Sequence, residues 1–164
     1  MEVRPVRPEE YAEAGRVTAG AYVEHVRKEW EDDWADYLKE IADVAGRAGK
    51  STVFVAVDDD GTILGTATLE LDDPITDGEP PMAPGEARLR MLGVDASARG
   101  RGAGQALLDA TIAHARERDR TRMILNTTDV MRAAQRLYER NGFVRGDDIM
   151  FDSGFGMRFY ARDL

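Results

Sequence analysis

Cysteine is absent from the 164 residues of this chain. That absence excludes a disulfide framework, a thiolate metal site and a cysteine acyl-enzyme. Histidine is scarce: His25 and His114 are the only two, they make no metal-ligand pattern, and no metal is expected. Positive charge is in deficit. Lys and Arg number 22 against 31 Asp and Glu, a formal charge of -9. A field of that sign repels phosphate backbones and anionic lipid, so neither a nucleic acid nor a membrane is expected as partner. Long apolar runs are missing too, and no segment approaches the roughly 20 residues that span a bilayer. Met1-Glu2-Val3-Arg4 lacks the basic-then-apolar pattern of a secretory leader, so a cytoplasmic location is the expectation.

What is present fits one domain over residues 1–164, with no repeats and no linker dividing two cores. Such a chain can bury about 70% of its unfolded surface. A first strand over Val3 to Arg7 precedes Pro8-Glu9-Glu10, where proline and acids suit a helix start. That helix runs to about Val26. Trp30, Trp34, Leu38 and Ile41 predict a second one, with Tyr37 on the same face, ending near Gly46 or Gly49. Thr52 to Val57, Thr62 to Leu71 and Glu86 to Val94 read as strands. The proline-rich stretch between the last two reads as a loop. Helices over Gly102 to Glu117 and Val130 to Arg140 flank a strand at Arg122 to Asn126, and strands at Phe143 to Arg145 and Gly156 to Ala161 follow.

The most informative segment runs from Leu92 to Leu108. A strand passes into Arg99-Gly100-Arg101-Gly102-Ala103-Gly104, and then into a helix with Gly104, Leu108, Ile112 and Ala115 on one stripe. Glycines at a helix start let backbone N–H groups converge on one point, and the helix adds about half a positive charge there. Arg99 and Arg101 are expected to add two whole charges, making a cradle for a pyrophosphate. A P-loop would need Lys and Ser/Thr after Gly104, where Gln105 and Ala106 stand. A dinucleotide fingerprint would need glycine at Gln105. A glycine-rich turn with solvated arginines is the plainer alternative.

Arg99-x-x-Gly102-x-Gly104 resembles motif A of the GNAT superfamily of N-acetyltransferases. Ala134-x-x-Leu137-Tyr138-x-x-x-Gly142-Phe143 resembles a second signature of the same family at the expected distance. The resemblance implies an α/β (α+β) fold, a mixed, largely antiparallel sheet flanked by helices and splayed where acetyl-CoA enters. It implies that Leu92-Gly93-Val94 bonds along the pantetheine arm, with a bulge that turns an N–H toward the thioester. Arg99 to Gly104, including Gly100, Arg101 and Ala103, would hold the pyrophosphate, and Asn126 either touches the pantetheine or is a plain edge asparagine. Gly93 suits close approach of that backbone.

By the same resemblance Tyr138 donates the proton to the coenzyme sulfur. By spacing alone it is a core residue on a stripe with Val130, Ala134 and Leu137. Asp129 reads as the N-cap of that helix. Relatives often carry a glutamate where Arg88 stands, so Glu86, two residues earlier on the same face, is the candidate base. Met131 replaces an asparagine that contacts the coenzyme in many relatives. Both histidines are expected to be exposed. The Trp30/Trp34/Tyr37 stripe is either packing or, as the resemblance allows, a wall of the acceptor pocket. The implied activity is transfer of acetyl from acetyl-CoA to a small-molecule or peptide primary amine in a ternary complex. A silent acyl-CoA sensor is the alternative, and a homodimer is left open. Asp72, Asp73, Asp77 and Glu79, with Glu31, Asp32 and Asp33, would favour polycationic amines if they border the acceptor mouth.

Overall fold

The computed structural model describes residues 1–26, 31–72, 74–75, 81–150 and 156–164, with 31–33 described by backbone alone. Its frame is one eight-stranded sheet. Strands β1 (Glu2–Pro5), β2 (Thr52–Val57), β3 (Ile63–Glu70) and β4 (Glu86–Val94) pair in sequence order, all antiparallel. β4 then pairs in parallel with β5 (Arg122–Thr128), over four rungs from Glu86↔Arg122 to Leu89↔Leu125. Beyond Leu89 and Leu125 the two strands part. β8 (Gly156–Asp163) pairs antiparallel with β5, and the short β6 (Val144–Arg145) and β7 (Ile149–Met150) pair with β8.

A parallel pair needs a crossover, and α4 (Ala103–Glu117) supplies it. Its buried positions Ala103, Leu107, Leu108, Thr111, Ile112 and Ala115 recur at helical period, so one stripe faces the sheet. With α5 (Arg132–Arg140) it covers the face formed by Phe54, Leu69, Leu89, Leu125 and Tyr160. The opposite face meets α1 (Tyr11–Val23) and α3 (Val44–Ala48), through a second cluster that includes Val17, Val44, Val53 and Val55. β2 alternates between these clusters, which explains its uninterrupted apolar run.

The expected single helix after Trp30 is two: α2 (Glu31–Ala42) and α3. Asp43 leaves helical dihedrals, and its carboxylate accepts the Gly46 N–H at 2.9 Å, starting a new helix. Trp30 lies outside the described residues. β1 stops at Pro5 rather than Arg7, because Arg7 already caps the next turn through Glu10. β7 was not expected; two residues after the irregular Gly146-Asp147-Asp148 link carry no periodicity to read. Among the described residues no helix is long and apolar enough to cross a membrane.

The start of α1 is pinned to β1 by a fork. Arg4 donates to both oxygens of Glu10 at 2.8 and 2.6 Å, and the Arg7 N–H donates to Glu10 at 2.8 Å. The hydrogen bond from Arg4 is the main reason the Glu10 carboxyl is held down to about 2. A depressed carboxyl stabilises the fold above its unfolded value of 4.5 and loses that stabilisation as pH falls through about 2. Glu10→Gln is therefore expected to cost about 1–2 kcal/mol at pH 7. Urea titrations from pH 7 to 3 should show the gap to the wild type closing as pH falls. A gap independent of pH would assign the loss to packing instead.

Candidate active site

The site is built where β4 leaves β5. Thr66 pairs with Gly93 and Thr68 with Arg90, so Met91 and Leu92 together face the single residue Ala67. Met91 takes φ +51° to accommodate the extra residue. This is a β-bulge, which frees backbone N–H from the ladder and re-aims it. The bulge expected at Leu92 to Val94 is thus present, one residue earlier. A Cβ on Gly93 would meet Ala21 Cβ at 2.8 Å, so the packing of α1 favours glycine there.

At the mouth of the gap, Asp95 accepts from the Ser97 N–H at 2.9 Å and from its hydroxyl at 2.6 Å, shaping a 3-10 turn. Gly100 and Gly102 then take φ +76° and +86°, and α4 begins at Ala103. The N–H groups of its first turn have no intrahelical acceptor. No acidic residue stands in that turn, and a Cβ on Gly102 would project into open space. Backbone donors with room before them and no competing carboxylate fit a pyrophosphate.

The two arginines are placed differently from the expectation of two unshared charges. Arg99 pairs with Glu24 at the end of α1, at 2.7 Å, and Arg101 with Asp58. Arg99 holds the Glu24 carboxyl below its ordinary range, as Arg101 does that of Asp58. Both pairs are exposed, so each is weakly held. Gln105, which stands where a dinucleotide fingerprint needs glycine, exchanges side-chain hydrogen bonds with Asn141 at 2.8 and 2.9 Å. It thereby ties α4 to the end of α5.

Tyr138 projects from α5, 5% exposed, its ring centroid 5.8 Å from that of Phe143 and 6.1 Å from that of Tyr160. Its hydroxyl makes no hydrogen bond among the described residues. Burial pushes the phenol above its ordinary range. Tyr22 comes from α1 on the other side of the sheet. Its phenol is raised chiefly by burial, and a Cβ on Gly93 of β4 would lie 3.5 Å from its ring. Asn126 is exposed on β5, one residue past the last rung. Leu92, Val94 and Asn126 thus lie on the parted strands, and Tyr138 sits in the core cluster against which Leu92 and Val94 pack.

Glu86 is not brought there. It lies three rungs before Leu89, about 10 Å toward the closed end of the pair. Its carboxylate accepts from the Ala83 N–H at 2.9 Å and lies 3.4 Å from Arg122. The residue missed in sequence is Glu70. It is 0% exposed and pairs across the ladder with Arg88. Its oxygens lie 3.4 Å from Arg88 and 3.4 Å from Arg90, and it accepts from the Ile75 N–H at 3.2 Å. A buried acid therefore lies one strand over from position 88, against Arg88 itself.

Other expectations change as well. Asp129 does not cap α5: Met131 is the N-cap residue, and the buried Gln135 side chain secures the loop by donating to the carbonyls of Thr128 and Asp129 at 2.8 and 3.3 Å. Neither histidine is fully exposed. His25 sits against Glu24 at 3.3 Å, and His114 packs edge-on to Phe54 at 5.4 Å. Trp34 is buried and meets Tyr37 edge-on at 5.5 Å. Asp72 pairs with Arg120. Asp73, Asp77 and Glu79, and the side chains of Glu31, Asp32 and Asp33, lie outside the described residues.

The mixed sheet is parted at a bulge, and a glycine-opened helix begins at the mouth of the gap. The model of the Acetyltransferase (GNAT) family matches residues 17–143, and the chain belongs to that family. Mycothiol acetyltransferase of Geodermatophilus obscurus is 38% identical over 92 residues, 56% of this chain and 28% of its own length. That of Propionibacterium freudenreichii subsp. shermanii is 31% identical over 133 residues, 81% of this chain and 35% of its own. The chain spans about a third of the length of these relatives. Among solved structures, the ribosomal-protein-alanine N-acetyltransferase of Brucella melitensis matches with TM-score 0.70 and 21% identity, covering 100% of both chains. The yncA protein of Salmonella typhimurium, solved with its cofactor acetyl-CoA, matches with TM-score 0.72 and 21% identity over 99% of this chain and 93% of its own. At these identities the likeness is one of fold.

Proposed function

We propose that this chain transfers an acetyl group from acetyl-CoA to the primary amine of a small-molecule or peptide acceptor, by direct attack in a ternary complex. The observation that carries this reading is the gap between β4 and β5 with the Met91 bulge on one wall, and Tyr138 is buried in the cluster against which Leu92 and Val94 of that wall pack. Acetyl-CoA supplies an activated thioester when bound. The first turn of α4, from Gly102 to Gly104, receives the pyrophosphate, with Arg99, Gly100 and Arg101 at its rim. The backbone of Leu92 to Val94 runs along the pantetheine, with Asn126 facing it across the gap.

Holding both substrates in one gap supplies much of the rate by orientation alone. A freed N–H at the bulge stabilises negative charge developing on the thioester oxygen. As the new N–C bond forms and the C–S bond breaks, the Tyr138 hydroxyl gives its proton to the departing sulfur. Solvent then restores the phenol. The attacking nitrogen loses its proton to water, since Glu86 is tied to the Ala83 loop and Glu70 to arginines.

The test is turnover of a panel of primary amines, followed by thiol release and by the mass of the acetylated product. Rates should rise with pH toward the pKa of each amine, with no added inflection from an enzyme carboxylate. Tight acetyl-CoA binding with no product from any amine would make the chain a sensor rather than an enzyme.

A further inference from the structure

Two amides join the start of α4 to the end of α5. Gln105 is the third residue of α4, inside the first turn, whose N–H groups have no intrahelical acceptor. Asn141 is the C-cap residue of α5. The two side chains, 36 positions apart in sequence, exchange hydrogen bonds. Gln105 Nε2 donates to Asn141 Oδ1 at 2.8 Å, and Asn141 Nδ2 donates to Gln105 Oε1 at 2.9 Å. Each amide also bonds its own helix. Gln105 Nε2 donates to Asp109 at 2.9 Å, and Asn141 Nδ2 donates to the Leu137 carbonyl at 2.7 Å. Both NH2 groups are therefore fully committed, and neither side chain can rotate without giving up several bonds at once.

Tyr138 lies between this tether and another. Its carbonyl accepts from the N–H of Asn141 at 3.0 Å and from that of Phe143 at 3.1 Å, so the backbone that carries the phenol is fixed directly to Asn141. Next to it, Glu139 accepts from the Tyr160 hydroxyl at 2.8 Å. That bond sets α5 against β8, whereas Gln105 and Asn141 set it against the glycine turn. The same corner is packed at Gly104, where a Cβ would stand 3.5 Å from Val94 of β4 and 3.7 Å from Leu137 of α5. The turn read as the phosphate cradle, a wall of the gap and the helix of the phenol thus share one corner. A neutral pair of this kind adds only modestly to stability. An error of about 1 Å in a reacting group can cost about 10²-fold in rate, so the pair matters more for placement than for stability.

We propose that Gln105 and Asn141 are positioning residues, which fix the Tyr138 hydroxyl relative to the turn that receives the phosphates. A coenzyme anchored at that turn then presents its sulfur to a phenol already in place. This inference rests on the acetyl-transfer reading for the role of Tyr138. Neither amide touches the reacting atoms, and both act through the phenol.

A double-mutant cycle tests it. Gln105→Met keeps the length and helix propensity of the side chain. It removes the cross-helix pair and the exposed bond to Asp109, and leaves Asn141 bonded to Leu137. At saturating acetyl-CoA, with chemistry limiting the rate, kcat should fall about 5- to 20-fold, with acetyl-CoA affinity changed by less than about 3-fold. In the Tyr138→Phe background no hydroxyl remains to be placed, and the same substitution should change kcat by less than about 2-fold. An equal fall in both backgrounds, or an unchanged kcat in Gln105→Met, overturns the inference and leaves acetyl transfer standing. If Gln105→Met does not fold, Gln105→Glu keeps an acceptor for Asn141 and passes through the same cycle. A second readout needs no turnover. With ring-fluorinated tyrosine incorporated, the fluorine NMR signal of Tyr138 is the one missing from Tyr138→Phe. ADP carries the pyrophosphate without the pantetheine, and adding it should shift that signal in the wild type but not in Gln105→Met. Such a shift without any acetylated product upholds the inference, and only acetyl transfer fails. No shift in the wild type, or an equal shift in the variant, overturns it.

Discussion

Tyr138→Phe is expected to lower kcat by about 10²-fold or more with the fold retained. The ring lies among Phe143 and Tyr160, and phenylalanine preserves those contacts while removing only the hydroxyl. Burial raises the phenol above its ordinary range. The sign matters: a raised phenol stays protonated through neutral pH and is lost as a donor only when pH rises through the raised value. The wild-type kcat should therefore hold to at least about pH 10, the ordinary value for a phenol. Acetyl-CoA affinity and the melting temperature are measured beside kcat. An unchanged kcat, under conditions where chemistry limits the rate, would return Tyr138 to a packing role.

Gly102→Val should weaken acetyl-CoA binding by about 10- to 100-fold, the loss of one or two charge-assisted hydrogen bonds. Gly102 sits at φ +86° with no atom within 4 Å of where a Cβ would stand. An added Cβ thus meets nothing among the described residues. It strains the backbone by roughly 1–2 kcal/mol and fills the space before the first-turn N–H groups. Calorimetry gives the affinity, and denaturation separates the strain. Stability lowered with affinity intact would show that the phosphates lie elsewhere.

The sequence was most readable where periodicity and glycine punctuation agree. β4 was delimited as Glu86–Val94 in full, and α4 ends at Glu117 as expected. The Asn141-Gly142 stop places the buried Phe143 beneath Tyr138. Pairing across strands is what periodicity does not carry. Glu70 ends a strand before a proline-rich loop and reads as a solvated acid until register sets it opposite Arg88. Arg47 lies near the end of the stretch that reads as one helix after Trp30, and the break at Asp43 that starts the separate α3 depends on one cap. Gln135 secures the start of α5 from within the helix, and a search for caps in the preceding residues finds Asp129 instead.

The β4–β5 pair is the one parallel contact among the described strands, four rungs long. It joins an amino-terminal half, already linked by antiparallel neighbours, to a carboxyl-terminal half organised around β8. Those rungs close only after α4 has crossed over and docked, a non-local step of the kind that slows assembly. The start of that same crossover is the glycine turn read here as the phosphate cradle. A coenzyme bound at that turn would select the fully assembled chain over every partly folded one, and by mass action its concentration would set how tightly the two halves stay joined.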